Sequence, residues 1–103
     1  MKNSVNKSDV IFEKPGMLGH KLYTYDNVEL VHLALEPGKK MAPHTMPVKV
    51  IFFILEGKID VVINNEVHPL SQNEFIAAPV GAERFTANNS DKPARILVIK
   101  HPE

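Results

Sequence analysis

Turn-forming residues recur every eight to twelve positions along this chain, and the segments between them are rich in Val, Ile, Leu and Phe. Segments this short suit strands rather than buried helices, so the punctuation points to an all-β domain of sandwich or barrel type. Strands are expected over residues 10–14, 20–25, 28–36, 48–57, 58–64, 66–70, 74–79, 83–88 and 94–100. No convincing amphipathic helix is present. Pro37-Gly38 suits a type II turn, because proline presets φ and glycine accepts the positive φ that follows. Asn64-Asn65 suits a two-residue hairpin, since asparagine tolerates left-handed backbone geometry. Residues 88–93, NNSDKP, read as a loop.

Side-chain alternation then assigns faces. Ile59, Val61 and Ile63 share one side of their strand, with Asp60 and Val62 on the other. The run VIFFIL, residues 50–55, is apolar on both sides. Val50, Phe52 and Ile54 can face a core, which leaves Ile51, Phe53 and Leu55 outside and in need of cover. In a chain of 103 residues the expected cover is a second copy, making a homodimer through this outer sheet face.

The length allows one domain, residues 1–103, with one small core; residues 1–9 are polar and expected to be flexible. Twelve basic and twelve acidic residues give zero formal charge, which argues against nucleic acid as a partner. Cysteine is absent, so disulfides, zinc knuckles and thiol nucleophiles are excluded. The N-terminus lacks the apolar run of a signal peptide, and VIFFIL is far too short to span a bilayer. A cytoplasmic protein without membrane association is the expectation.

The stretch PGKKMAPHTMPVKVIFFILEG, residues 37–57, places Gly38, His44, Met46, Val50 and Gly57 at fixed intervals. Asn73, Pro79, Gly81, Arg84 and Asn88 form a second set. These intervals resemble the two motifs of the cupin family, G-x5-H-x-H-x3-E-x6-G and G-x5-P-x-G-x2-H-x3-N. The resemblance covers residues 28–100 and implies a small antiparallel jelly-roll β-barrel, commonly paired through its outer sheets. It also implies a metal site of three histidines and a glutamate. Carried over by position, those ligands fall on His44, Met46, Val50 and Arg84.

Only His44 is a good ligand for a first-row divalent ion. Met46 offers a soft thioether and Val50 offers nothing. Arg84 at about 3–4 Å would repel a divalent cation by several kcal/mol. One histidine cannot hold a metal that needs three or four ligands, so no cofactor is expected. The other histidines read as structural or surface residues. His101 is solvated at the C-terminal end, His32 points away from the core, His68 shares phase with Leu70, and His20 opens a strand. A site rebuilt from His44 and one of these is the remaining metal alternative.

Strand phase turns His44, Met46, Val48, Val50, Phe52, Arg84, Thr86 and Asn88 inward near the barrel mouth, with Glu83 on the opposite side. An apolar wall with a few converging polar groups is the usual make-up of a small-molecule site. Three fates are open to Arg84: turning to solvent, reaching a distant acid such as Glu83 or Glu36, or meeting an anion. His44 is either a structural donor to a backbone carbonyl, a donor to ligand, or a general acid/base. Met46, Phe52 and Phe85 suit a core, and Tyr23 and Tyr25 a rim or interface. Three functions remain, in order of preference. The first is a metal-free barrel that binds a small anionic metabolite as carrier, sensor or auxiliary protein. The second is a metal-independent isomerase, epimerase or cyclase using His44 and Arg84. The third is a metal-dependent dioxygenase or isomerase with a non-standard ligand set.

Overall fold

The computed structural model describes residues 2–102. After a short 3-10 turn at Val5–Lys7, the chain runs through ten strands: β1 (Asp9–Lys14), β2 (Met17–Tyr25), β3 (Val28–Leu35), β4 (His44–Thr45), β5 (Val48–Glu56), β6 (Lys58–Ile63), β7 (Glu66–Ser71), β8 (Phe75–Ala78), β9 (Glu83–Ala87) and β10 (Ala94–Pro102). They form a six-stranded sheet in the order β1-β2-β3-β10-β5-β8 and a four-stranded sheet in the order β4-β9-β6-β7. Every pairing between these strands is antiparallel. The all-β barrel expected from the turn spacing is therefore the observed architecture.

The core is built from the period-2 positions. Val31, Leu33 and Leu35 of β3, Val50, Phe52 and Ile54 of β5, Ile59, Val61 and Ile63 of β6, and Ile96 and Val98 of β10 are all buried. Each such side chain contributes about 1.5–3 kcal/mol relative to exposure. Ile51, Phe53 and Leu55 lie on the opposite side of β5 and are half-buried.

Backbone geometry explains the glycine and asparagine positions. Asn64 and Asn65 both take positive φ, 48° and 67°, as the hairpin requires. Asn73 stands where the motif it resembles has a glycine, and it holds φ at 70°, a left-handed turn that asparagine tolerates. At Gly57 the constraint is steric as well. A Cβ there would come within 2.7 Å of the Pro93 carbonyl oxygen and 3.1 Å of Ala94.

The structure departs from the expected strands in two places. The second strand begins at Met17 rather than His20, because Gly19 is not part of the turn; it sits mid-strand, paired with Phe12 on β1 and Leu33 on β3. The turn is made by Pro15 and Gly16, the latter at φ 76°. The two-residue strand β4 is an addition to the expected set; its pairing is confined to Arg84 and Glu83 of β9, too short to leave a periodic signal.

Candidate functional site

Between the two sheets lies a cavity of about 260 Å³, just below the range of about 300–1,000 Å³ that holds drug-sized ligands. Its four-stranded wall presents Arg84, Phe85 and Thr86 from β9, with His44 beside them on β4. Its six-stranded wall presents Val31 and Leu33, Val50 and Phe52, and Val98 and Lys100. Ile11 and Phe12 of the edge strand β1 complete the enclosure, together with Gly19 and Met41. A register shift between Val10 and Phe12 re-aims β1 at this point.

Arg84 is 2% exposed, and its Nη1 is buried with no hydrogen-bond partner. Among the described residues no ion pair reaches it. Of the three fates open to Arg84, solvent exposure and pairing with Glu83 or Glu36 are not what the geometry displays; both acids are exposed. Burial pushes the guanidinium below its ordinary pKa, yet arginine stays charged at neutral pH. An unpaired buried cation costs several kcal/mol, so the site stores a demand for negative charge.

Two residues along β9, Thr86 is also 2% exposed with its Oγ1 buried and unpartnered. Lys100 borders the cavity as well, with its Nζ 3.8 Å from Glu29 Oε1. His44 is exposed at the rim, its Nδ1 3.3 Å from the Ala42 carbonyl oxygen. A carbonyl only accepts, so that contact places the proton on Nδ1 and leaves Nε2 of the neutral ring as an acceptor. Among the described residues the lining thus carries one unpaired guanidinium, an ammonium already paired with Glu29, a hydroxyl and an imidazole, and no carboxylate of its own.

Not every residue expected at the site lines the cavity. His44, Val50, Phe52, Arg84 and Thr86 do; Met46 and Asn88 do not. Met46 is half-buried and its carbonyl accepts from the Gly81 N–H at 3.3 Å. Asn88 is completely buried but fully employed. Its Nδ2 donates to the carbonyls of Leu35 at 2.9 Å and Lys92 at 2.8 Å. Its Oδ1 accepts from the N–H and hydroxyl of Ser90, at 3.0 and 2.7 Å. Asn88 is a brace at the far end of the barrel. Conversely, Lys100 joins the site without having been expected there, although it shares phase with Ile96 and Val98 on β10 and that alternation points inward.

The remaining histidines lie off the cavity. His101 is exposed, and half-buried His68 pairs with Glu66 Oε1 at 3.1 Å. His32 does point away from the core, but it is not a surface residue: it is 5% exposed, beside His20 across the β2–β3 pair. Arg95 Nε donates to its Nε2 at 3.0 Å, and its Nδ1 is buried without a partner. Burial first, then Arg95 and His20, push the pKa of His32 down.

The family model described as a cupin domain matches residues 31–100, so the chain belongs to the cupin family. A predicted oxalate decarboxylase from Thermotoga maritima superposes with a TM-score of 0.86 at 15% identity, covering 100% of both chains. TT1209 from Thermus thermophilus gives 0.84 at 22% identity, with 98% of this chain and 96% of that one covered. KdgF from Halomonas sp. gives 0.79 at 16% identity, covering 95% and 90%. At these identities the likeness establishes the barrel alone. No curated protein matches the sequence.

A metal of the kind the family often holds does not fit this cavity. The positions of its ligands are His44, Met46, Val50 and Arg84, and the last projects an unpaired cation into the same space. Among the described residues no three His, Asp or Glu side chains gather into a group that could hold a metal ion. No helix among them is long and apolar enough to cross a membrane.

Proposed function

We propose that this cupin barrel binds a small anionic metabolite, with Arg84 as the anchor, in a carrier, sensor or auxiliary role. The observation that supports it is the pair of buried, unpartnered polar groups, Arg84 Nη1 and Thr86 Oγ1, on a cavity whose described lining has no acid and whose other cation, Lys100, is already paired with Glu29. An oxyanion would satisfy both groups and remove the cost of the isolated charge. His44 joins as a second donor only as imidazolium, because its Nδ1–H is engaged by Ala42. An isomerase or cyclase would need a proton donor and acceptor flanking one ligand atom. Among the described residues the cavity offers one imidazole and no carboxylate, which favours binding over catalysis. The test is a thermal-shift screen of small anions and their neutral analogues, wild type against Arg84→Ala. Anions should raise the wild-type Tm selectively; equal shifts in both proteins would refute the reading.

We also propose that two copies pair through the outer face of the six-stranded sheet. Ile51, Phe53 and Leu55 lie there, and Phe75, 65% exposed, stacks on Phe53 at a centroid distance of 5.9 Å. Covering these side chains would contribute a few kcal/mol each before association costs of about 4–15 kcal/mol. Light scattering at micromolar concentration should give twice the chain mass of 11.5 kDa. Phe53→Asp should return the single-chain mass, and a wild-type monomer would dismiss the pairing.

A further inference from the structure

The distribution of polarity along the cavity narrows the class of anion, a refinement that rests on the anion reading of the site. Strand β5 leaves one end of the barrel at Val48, Gly57 turns the chain at the other end, and β6 returns to finish at Ile63. Val50 near the start of β5 is paired with Lys100, and Ile63 with Arg84. Both cations therefore sit at the same end, where His44 pairs across from Arg84 and Lys100 is held by Glu29, which leaves Arg84 as the unpaired charge. One row further in, Phe52 stands beside Val98 on one wall and Thr86 beside Val61 on the other. Beyond that row the lining comes from Phe12, Gly19 and Leu33, neighbours across β1, β2 and β3, and is wholly apolar.

A cavity with cations at one end and hydrocarbon at the other is complementary to an amphiphile. A bare oxyanion would satisfy Arg84 but leave the inner half without partner atoms, forfeiting both burial and dispersion. The same lining discriminates between head groups. The buried donors are one guanidinium and one hydroxyl, and the helix content of the described residues is the three-residue 3-10 turn at Val5–Lys7, so no helix terminus is available to cradle a phosphate. Two carboxylate oxygens can be served by Arg84 and Thr86, whereas phosphate would keep acceptors unpaired against apolar walls.

We propose that the ligand is a monocarboxylate with a compact aliphatic or aryl body. Its head group rests on Arg84 and Thr86, and its body extends inward over Phe52, Val98 and Leu33. Gly19 then serves as the floor of the tail pocket. Its φ is not in the left-handed region, and a Cβ there would meet Phe12 Cβ at 3.3 Å and Leu33 Cδ1 at 3.9 Å. A larger side chain at this position would occupy the space proposed for the tail.

The test is an amide chemical-shift titration with acetate, butanoate, hexanoate, phenylacetate, hexanamide and inorganic phosphate. Affinity should rise about fourfold per methylene from acetate to hexanoate, the equivalent of the ~0.8 kcal/mol per buried CH₂. Hexanamide and phosphate should each bind at least about tenfold more weakly than hexanoate, since a charge-assisted hydrogen bond or the tail contact is lost. Gly19→Leu should flatten the chain-length series, with Val98→Phe as the substitute if the leucine variant does not fold. Affinities that depend on Arg84 but are flat with chain length, or phosphate as the tightest probe, would overturn the carboxylate-with-tail proposal and leave the anion reading intact. A chain-length series unchanged by Arg84→Ala would overturn both.

Discussion

Arg84 and Asn88 lie four residues apart along one strand direction, and both are polar side chains buried at opposite ends of the barrel. Asn88 makes four hydrogen bonds that tie Leu35, Ser90 and Lys92 together. Arg84 has a buried nitrogen with none. A buried polar group that is saturated by the chain stabilises the fold; one that the chain leaves unpartnered costs free energy unless water or a ligand supplies the partner. The difference between the two ends can be attacked experimentally.

The largest expected effect is at the saturated end. Asn88→Ala should destabilise the protein by about 2–4 kcal/mol, because the Leu35 and Lys92 carbonyls lose their donor and the Ser90 donors lose an acceptor. Chemical denaturation measures this; a loss below about 1 kcal/mol would mean that Asn88 is not a brace. At the empty end the sign should reverse. In anion-free buffer Arg84→Leu should stabilise the protein by about 1–3 kcal/mol, since an unpaired buried charge is exchanged for hydrocarbon. In a domain of this size that is a rise in Tm of several degrees. A fall instead would show that Arg84 braces its end as Asn88 does the other.

His32 supplies a smaller, sharper case, a buried polar group with an unpartnered nitrogen that does not line the cavity between the sheets. Its pKa is lowered in the folded state by burial, by Arg95 of β10 and by His20 of β2, while Glu56 of β5 pairs with Arg95 at 3.5 Å. The unfolded chain therefore takes up the proton first as pH falls. Stability from this residue is complete above about pH 6.5 and declines below it, at no more than ~1.4 kcal/mol per pH unit. Urea midpoints between pH 8 and 5 should show that decline in wild type and a shallower one in His32→Gln. Parallel curves would assign the acid sensitivity elsewhere.

How far such distinctions can be read from sequence depends on what alternation encodes. Period 2 specifies the face of a residue, and it turns Ile59, Val61, Ile63, Arg84 and Thr86 inward, where all five are buried. Turn chemistry is equally readable: Asn64, Asn65 and Gly38 all hold the positive φ their contexts demand. Depth along the barrel is not encoded by phase. Met46, Val48, Thr86 and Asn88 share the inward direction, yet only Thr86 meets the cavity. Nor does facing away from the core mean facing water. His32 is crowded by a cross-strand histidine and an arginine from β10, contacts that no local pattern announces. The cover given by Ile11 and Phe12 is likewise long-range, because β1 reaches the site only through its pairing with β2.

The packing at Gly57 bears on how such a barrel can change its specificity over evolutionary time. The turn there is so close to the Pro93 carbonyl that no side chain fits, and the loop carrying Ser90 and Lys92 is locked to Asn88 just beside it. Substitutions at that end meet purifying pressure from folding itself. At the opposite end Val50 and Ile63 belong to the core, but Arg84 Nη1 and Thr86 Oγ1 support no hydrogen bond that the fold would miss. Changes confined to those two side chains would alter what the cavity can hold while leaving the braced end of the barrel as it is.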